Sequence, residues 1–340
     1  MVRAIISICL LALFAIVATS SARADEIADF YRGKTINMYV SFPPGGGYDI
    51  YARLIAPYYT RHIPGNPTII VRNMEGGSGV RAASYISNAT PQDGTSLGVF
   101  LDNLTLGKVL GGTGDFDPVK MQWIGRMVST ATVALVWHTS PVQSVEEAKS
   151  KELIMAVGAA SNSSAFIPLA LNDLLGTRIK LIRGYTGSGP MGLAMEQGEA
   201  NAIGAISWEA LSTTKLYWLN EKKTKYLYTL SAQRLKAVPE APALLDFAKD
   251  EKSERILGLL GSGPDIGRAI VAEPGAPAAR VAALRKAFME TMNDPAYQDE
   301  LRKRGLEHEP LSGEELQAIV MRAAATPKDL TAQARRYLGE

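Results

Sequence analysis

The chain has 340 residues, 46% of them apolar, with 36 basic and 34 acidic side chains and a formal net charge of +2. Two of the basic residues, Arg3 and Arg23, fall in an N-terminal leader, so the mature chain is neutral and lacks the basic excess expected of a nucleic-acid-binding protein. The one cysteine, Cys9, also lies in the leader, which excludes disulfides and thiol chemistry from the mature chain.

Residues 1–24 read as a secretory signal: Arg3 gives a positive start, Ala4 to Val17 an apolar run, and Ala22-Arg23-Ala24 a small-x-small cleavage site. Cleavage after Ala24 would leave a periplasmic protein beginning at Asp25. The apolar run is shorter than the roughly 20 residues that cross a bilayer, and no later run approaches that length.

Thr35 to Phe42 alternates, with Ile36, Met38, Val40 and Phe42 on one face, which predicts a strand. Further strands are predicted over Thr68 to Arg72, Ser96 to Leu101, Thr132 to His138, Leu153 to Val157 and Lys180 to Arg183. Helical spacing is clearest in Val281, Leu284, Phe288 and Met292, ahead of the boundary at Asp294-Pro295. Ser144 with Glu147 and Ser312 with Glu315 match capping boxes, and Pro327 interrupts the last helical region. Strands alternating with helices predict an α/β fold, and the length favours two lobes.

Two glycine-rich loops carry the chemistry. Phe42, Pro43, Pro44, Gly45, Gly46, Gly47, Tyr48 and Asp49 join the first strand to a helical stretch. Amides unshielded by any Cβ, at the start of a helix, suit an anion; a tight turn without a ligand is the alternative. Tyr185, Thr186, Gly187, Ser188, Gly189, Pro190, Met191 and Gly192 form the second loop, which satisfies GxGxxG. A dinucleotide site would require an early mononucleotide-binding unit and an acidic residue about 20 positions on, and only Glu209 is near, so no cofactor is expected. Two other polar loops, Glu75 to Gly79 and Gly158 to Ser164, also follow predicted strands. Loops of this kind, converging beyond the carboxyl ends of strands, make a ligand cleft.

The chain resembles the substrate-binding receptors of tripartite tricarboxylate transporters, the Bug family. The resemblance is carried by PPGGGYDIYAR at 43–53, EGGSGVRAASYISNATPQDGTSL at 75–97, GYTGSGPMGLAMEQGEAN at 184–201, VPEAP at 238–242 and EPGAPAARVAALRKAF at 273–288. It implies a type II periplasmic-binding fold: two α/β lobes that close on a small carboxylate, held largely through backbone amides. The matching loops are Pro44 to Asp49 and Tyr185 to Gly189, with the polar loop Ser161, Asn162, Ser163 and Ser164 at the far end of the ligand. Phe42 and Ser207 complete the candidate lining, and Trp208 belongs either to that lining or to the core. The two glycine loops must lie in different lobes, which sets the expected division at 25–128 plus 241–340 for one lobe and 129–240 for the other. The polar loop lacks the glycine that interrupts it in many relatives, so the ligand's identity does not transfer.

His62, His138 and His308 have no metal spacing and no GxSxG nucleophile beside them, so neither catalysis nor a metal is expected. Asp49 has two readings: a cap for its helix, or an acceptor facing the ligand; Arg53, one turn on, can pair with it. A monomeric transport receptor serving membrane transporter subunits is the function the resemblance implies. A sensor subunit or an exported enzyme acting on a small carboxylate is the alternative.

Overall fold

The computed structural model describes residues 26–160 and 162–338. The leader, its cleavage site and Ser161 lie outside the described residues. Contacts divide the chain into two compact units, each built on one sheet.

The strands are β1 Thr35–Val40, β2 Thr68–Asn73, β3 Ser96–Val99, β4 Gln122–Val128, β5 Thr132–Trp137, β6 Leu153–Ala156, β7 Ile179–Ile182, β8 Ala202–Ser207, β9 Thr224–Thr229, β10 Arg268–Ala272 and β11 Leu311–Ser312. All six strands predicted from sequence are present, though β1 stops at Val40 and leaves Ser41 and Phe42 to the turn.

Unit 1 takes the chain up to Phe100 together with Asp115–Met127 and Ala269–Glu314. Its sheet runs β11-β4-β10-β3-β1-β2. β1 is parallel to both neighbours, with Met38 opposite Val71 and Leu97, whereas β10 is antiparallel to β3. The alternation in β1 buries Ile36, Met38 and Val40 completely. Helices Gly47–His62 and Ala278–Met292 pack together, and the buried Tyr59 hydroxyl donates to the Leu284 carbonyl at 2.9 Å.

Unit 2 is built on β7-β6-β8-β5-β9, with β6 parallel to β7 and β8, and β5 antiparallel to β8 and β9. Its apolar cluster draws Phe166 and Leu171 from helix Ser163–Leu175, Leu257 and Leu260 from helix Glu251–Leu260, and Ala334 and Tyr337 from helix Lys328–Tyr337. That shared core gives residues 241–268 and 315–340 to this unit, together with 101–114, a division more interleaved than the two-boundary one expected from sequence.

The capping signals have different outcomes. Ser144 accepts from the Glu147 amide at 3.2 Å, but the Glu147 carboxylate accepts from the Gln143 amide instead of the Ser144 amide, and only a single 3-10 turn, Glu147–Lys149, follows. Helix Gly313–Ala324 begins directly after Ser312, and Pro327 immediately precedes helix Lys328–Tyr337. Among the described residues no helix is long and apolar enough to cross a membrane.

Candidate functional site

Because β1 and β2 are parallel, their following loops leave the same edge of the unit 1 sheet. The turn after β1 brings Phe42, Pro44, Gly45, Gly46, Gly47 and Asp49 together at the start of helix Gly47–His62. The Phe42 ring lies over Gly46 so closely that a Cβ there would sit 2.6 Å from it, and it packs against Tyr48 with centroids 5.5 Å apart.

Asp49 is not a ligand-facing acceptor. The residue is 3% exposed and its carboxylate is filled by protein donors: the Gly45 amide at 2.9 Å, Arg53 Nε at 2.9 Å to each oxygen, and Asn73 Nδ2 at 2.8 Å. Burial pushes its pKa up, but the hydrogen bonds from Arg53, Gly45 and Asn73, with the Arg53 charge, outweigh it and hold the carboxyl below the usual range. The Gly45 amide is thereby engaged, and the Gly46 amide leans on the Pro43 carbonyl at 3.3 Å. Of the three glycine amides expected to face a ligand, two have protein acceptors, and Gly47 is left without one among the described residues. Its N–H and that of Asp49 lie in the first turn, where no intrahelical acceptor exists, and neither finds another among the described residues.

In unit 2, parallel pairing of β6 with β7 and β8 places three candidate loops at one sheet edge. After β6, Asn162 caps helix Ser163–Leu175 by accepting from the Ser164 amide at 3.1 Å. Ser164 is fully buried and its Oγ accepts from the Gly158 amide at 3.0 Å, so this residue holds the loop and is removed from the ligand lining. Ser163 lies on the half-buried first turn, and its hydroxyl has no partner among the described residues.

After β7, Tyr185 and Thr186 lead into Gly187, the N-cap of helix Ser188–Glu196, with φ 158° and ψ 179°. The Tyr185 hydroxyl reaches Glu199 at 3.4 Å, and burial followed by the Glu199 charge pushes its pKa up. The amides of Ser188 and Gly189 have no acceptor among the described residues, and Pro190 has no N–H to leave unpaired. After β8, Ser207 caps helix Trp208–Thr213 by accepting from the Ala210 amide at 3.2 Å, while Trp208 packs as a partly buried member of an apolar cluster. Among the described residues no group of His, Cys, Asp and Glu forms a metal cluster.

Asn73 was missed from the sequence. The available signal was its position, an amide directly after a predicted strand and just before a glycine loop, but its partners lie 20 to 31 positions earlier in the chain.

Each unit therefore offers a helix N-terminus with two unengaged amides, the arrangement that captures anions. A family model described as the tripartite tricarboxylate transporter family receptor matches residues 53–330. No curated protein matches the chain at a significant level. Among solved structures, a TctC solute-binding protein from Polaromonas, without ligand, is 23% identical at a TM-score of 0.70, covering 89% of this chain and 99% of that one. An R. palustris protein with adipate is 21% identical at a TM-score of 0.56, with 89% and 97% covered. MatC from Rhodopseudomonas palustris, with bound malate, is 20% identical at a TM-score of 0.51, with 90% and 99% covered. These likenesses establish a solute-binding-protein fold, and with a family match that spans most of its length, the chain belongs to the tripartite tricarboxylate transporter receptor family.

Proposed function

We propose that this receptor is exported, loses its leader after Ala24, captures a small organic carboxylate in the periplasm and delivers it unchanged to membrane subunits of a tripartite transporter. The observation that carries the reading is that each unit has a helix start with two amides that find no acceptor among the described residues: Gly47 and Asp49 in unit 1, Ser188 and Gly189 in unit 2. Amides at a helix end favour negative charge, and a carboxylate is the anion bound by two structural relatives, as adipate and as malate. Within unit 2, Asn162, Ser163, Tyr185 and Thr186 add polar groups near that unit's candidate loops, and within unit 1 Phe42 adds an apolar face beside the Gly47 turn.

Calorimetry with a panel of mono- and dicarboxylates, each paired with its primary amide, tests the reading. A hydrogen bond to a charged group contributes about 1.5–3 kcal/mol, so amide replacement should weaken binding about tenfold or more. Equal affinity for acid and amide would refute carboxylate capture. Recovering the bound acid chemically altered after incubation would refute the receptor role.

A further inference from the structure

We propose that Asn73, the last residue of β2, is the positioning residue of the unit 1 ligand loop, locking its shape and turning Asp49 from an exposed repelling charge into an internal clamp. The inference rests on the reading of that loop as a carboxylate site.

Asn73 has a partner for each of its polar atoms. Nδ2 donates to the Phe42 carbonyl at 2.9 Å and to Asp49 Oδ1 at 2.8 Å, and Oδ1 accepts from Arg53 Nη2 at 2.7 Å. Those partners fix the orientation of the amide: both groups beside the nitrogen are acceptors only, and the guanidinium beside the oxygen is a donor only. The side chain thus ties the entry of the loop at Phe42 to its exit at Asp49. Asp49 in turn ties the middle, through the Gly45 amide.

Two consequences for a ligand follow. The loop is held in one shape before anything binds, so less ordering opposes association. The Asp49 charge, 3% exposed and shared among Arg53, Gly45 and Asn73, is directed inward, while the amides of Gly47 and Asp49 are left over for an anion. A carboxylate ligand then meets donors where the sequence alone would place a like charge.

Asn73→Ala and Asn73→Asp test this in the full-length mature protein. Asparagine 73 ends an edge strand and is only half-buried, so both variants should retain the β1 core. In the unliganded variants, hydrogen exchange at the Gly45 amide should quicken about tenfold or more while exchange at Met38 and Val40 stays at the wild-type rate. The Asp49 carboxyl, followed by carbon NMR, should titrate at a higher pH in Asn73→Ala, because a hydrogen bond to its charged form is gone. Affinity for whichever of adipate or malate binds wild type should fall about tenfold, and further in Asn73→Asp, which sets oxygen against the Phe42 carbonyl and the Asp49 carboxylate.

Unchanged Gly45 exchange and an unmoved Asp49 titration would overturn the lock whatever the protein binds. Faster exchange with unaltered affinity would overturn its role in binding. A wild-type protein that binds neither acid would count against the carboxylate reading itself, and the exchange and titration results would then decide the lock alone.

Discussion

Gly187→Ala and Gly189→Ala separate backbone need from ligand access in the loop after β7. Gly187 has φ 158° and ψ 179°, a region populated almost only by glycine, and a Cβ built there meets nothing within 4 Å. Steric clash therefore contributes nothing, and the cost of alanine is conformational, about 1–3 kcal/mol. Gly189, inside the helix, has no positive φ and equally open surroundings, so alanine there gains at most about 1 kcal/mol of helix propensity. At about 2–4 °C per kcal/mol for units of this size, Gly187→Ala should lower the unit 2 melting transition by roughly 2–12 °C, with Gly189→Ala at or slightly above wild type. Scanning calorimetry of unliganded protein reads both. In binding, the folded Gly189→Ala variant adds a methyl beside the unengaged Ser188 and Gly189 amides and should weaken carboxylate affinity about tenfold. A Gly187→Ala protein that melts with wild type would refute the backbone argument. Wild-type affinity in Gly189→Ala would remove this helix end from the site.

Glu273 gives a pH-dependent expectation: it is fully buried, with one oxygen on the Gly94 amide and Oε2 without a partner among the described residues, and burial, with the Asp93 charge, raises its pKa more than the amides of Glu273, Gly94 and Asp93 lower it. The folded state then holds the proton more tightly than the unfolded one, so stability present below the ordinary glutamate range is lost as pH rises through the raised value. Glu273→Gln should match wild type in acid and melt above it at pH 8, and parallel melting-versus-pH curves would refute this. Gly46→Ala should disturb the ligand loop by forcing the Phe42 ring away from a 2.6 Å contact, read as loss of carboxylate affinity at nearly unchanged melting temperature. Intact-mass analysis of periplasmic protein should find a chain starting at Asp25, and retained Met1 to Ala24 would defeat the proposed cleavage.

The sequence exposed the fold wherever a strand alternated or stood between turn residues, as in Thr35–Val40 and Thr132–Trp137. It hid β4, because Gln122–Val128 is buried along nearly its whole length with a charged residue, Arg126, in the middle. It also hid β8, whose Ala202, Gly204 and Ala205 give little apolar contrast. The glycine loops were legible as clusters of one residue type, and so was the Asp49–Arg53 pair, from helical spacing alone. Which amides a ligand can use was not legible. That depends on Asn73 meeting Phe42, Asp49 and Arg53, a meeting set by the parallel register of β1 and β2, with Val40 opposite Asn73. That Ser164 props its loop and Ser207 caps its helix was not legible either, because a serine in such a role has the same letter as one that faces a solute.

The interleaving of the two units constrains how such a chain is made. Domains generally fold as units, the N-terminal one first, while synthesis continues. Here unit 1 lacks β10 and helix Ala278–Met292 until residues beyond 269 emerge, and unit 2 lacks Ala323, Ala334 and Tyr337 of its core until the last helices arrive. Neither can complete its core before those later segments emerge. The same feature means that neither unit can be exchanged between relatives as one uninterrupted stretch of gene.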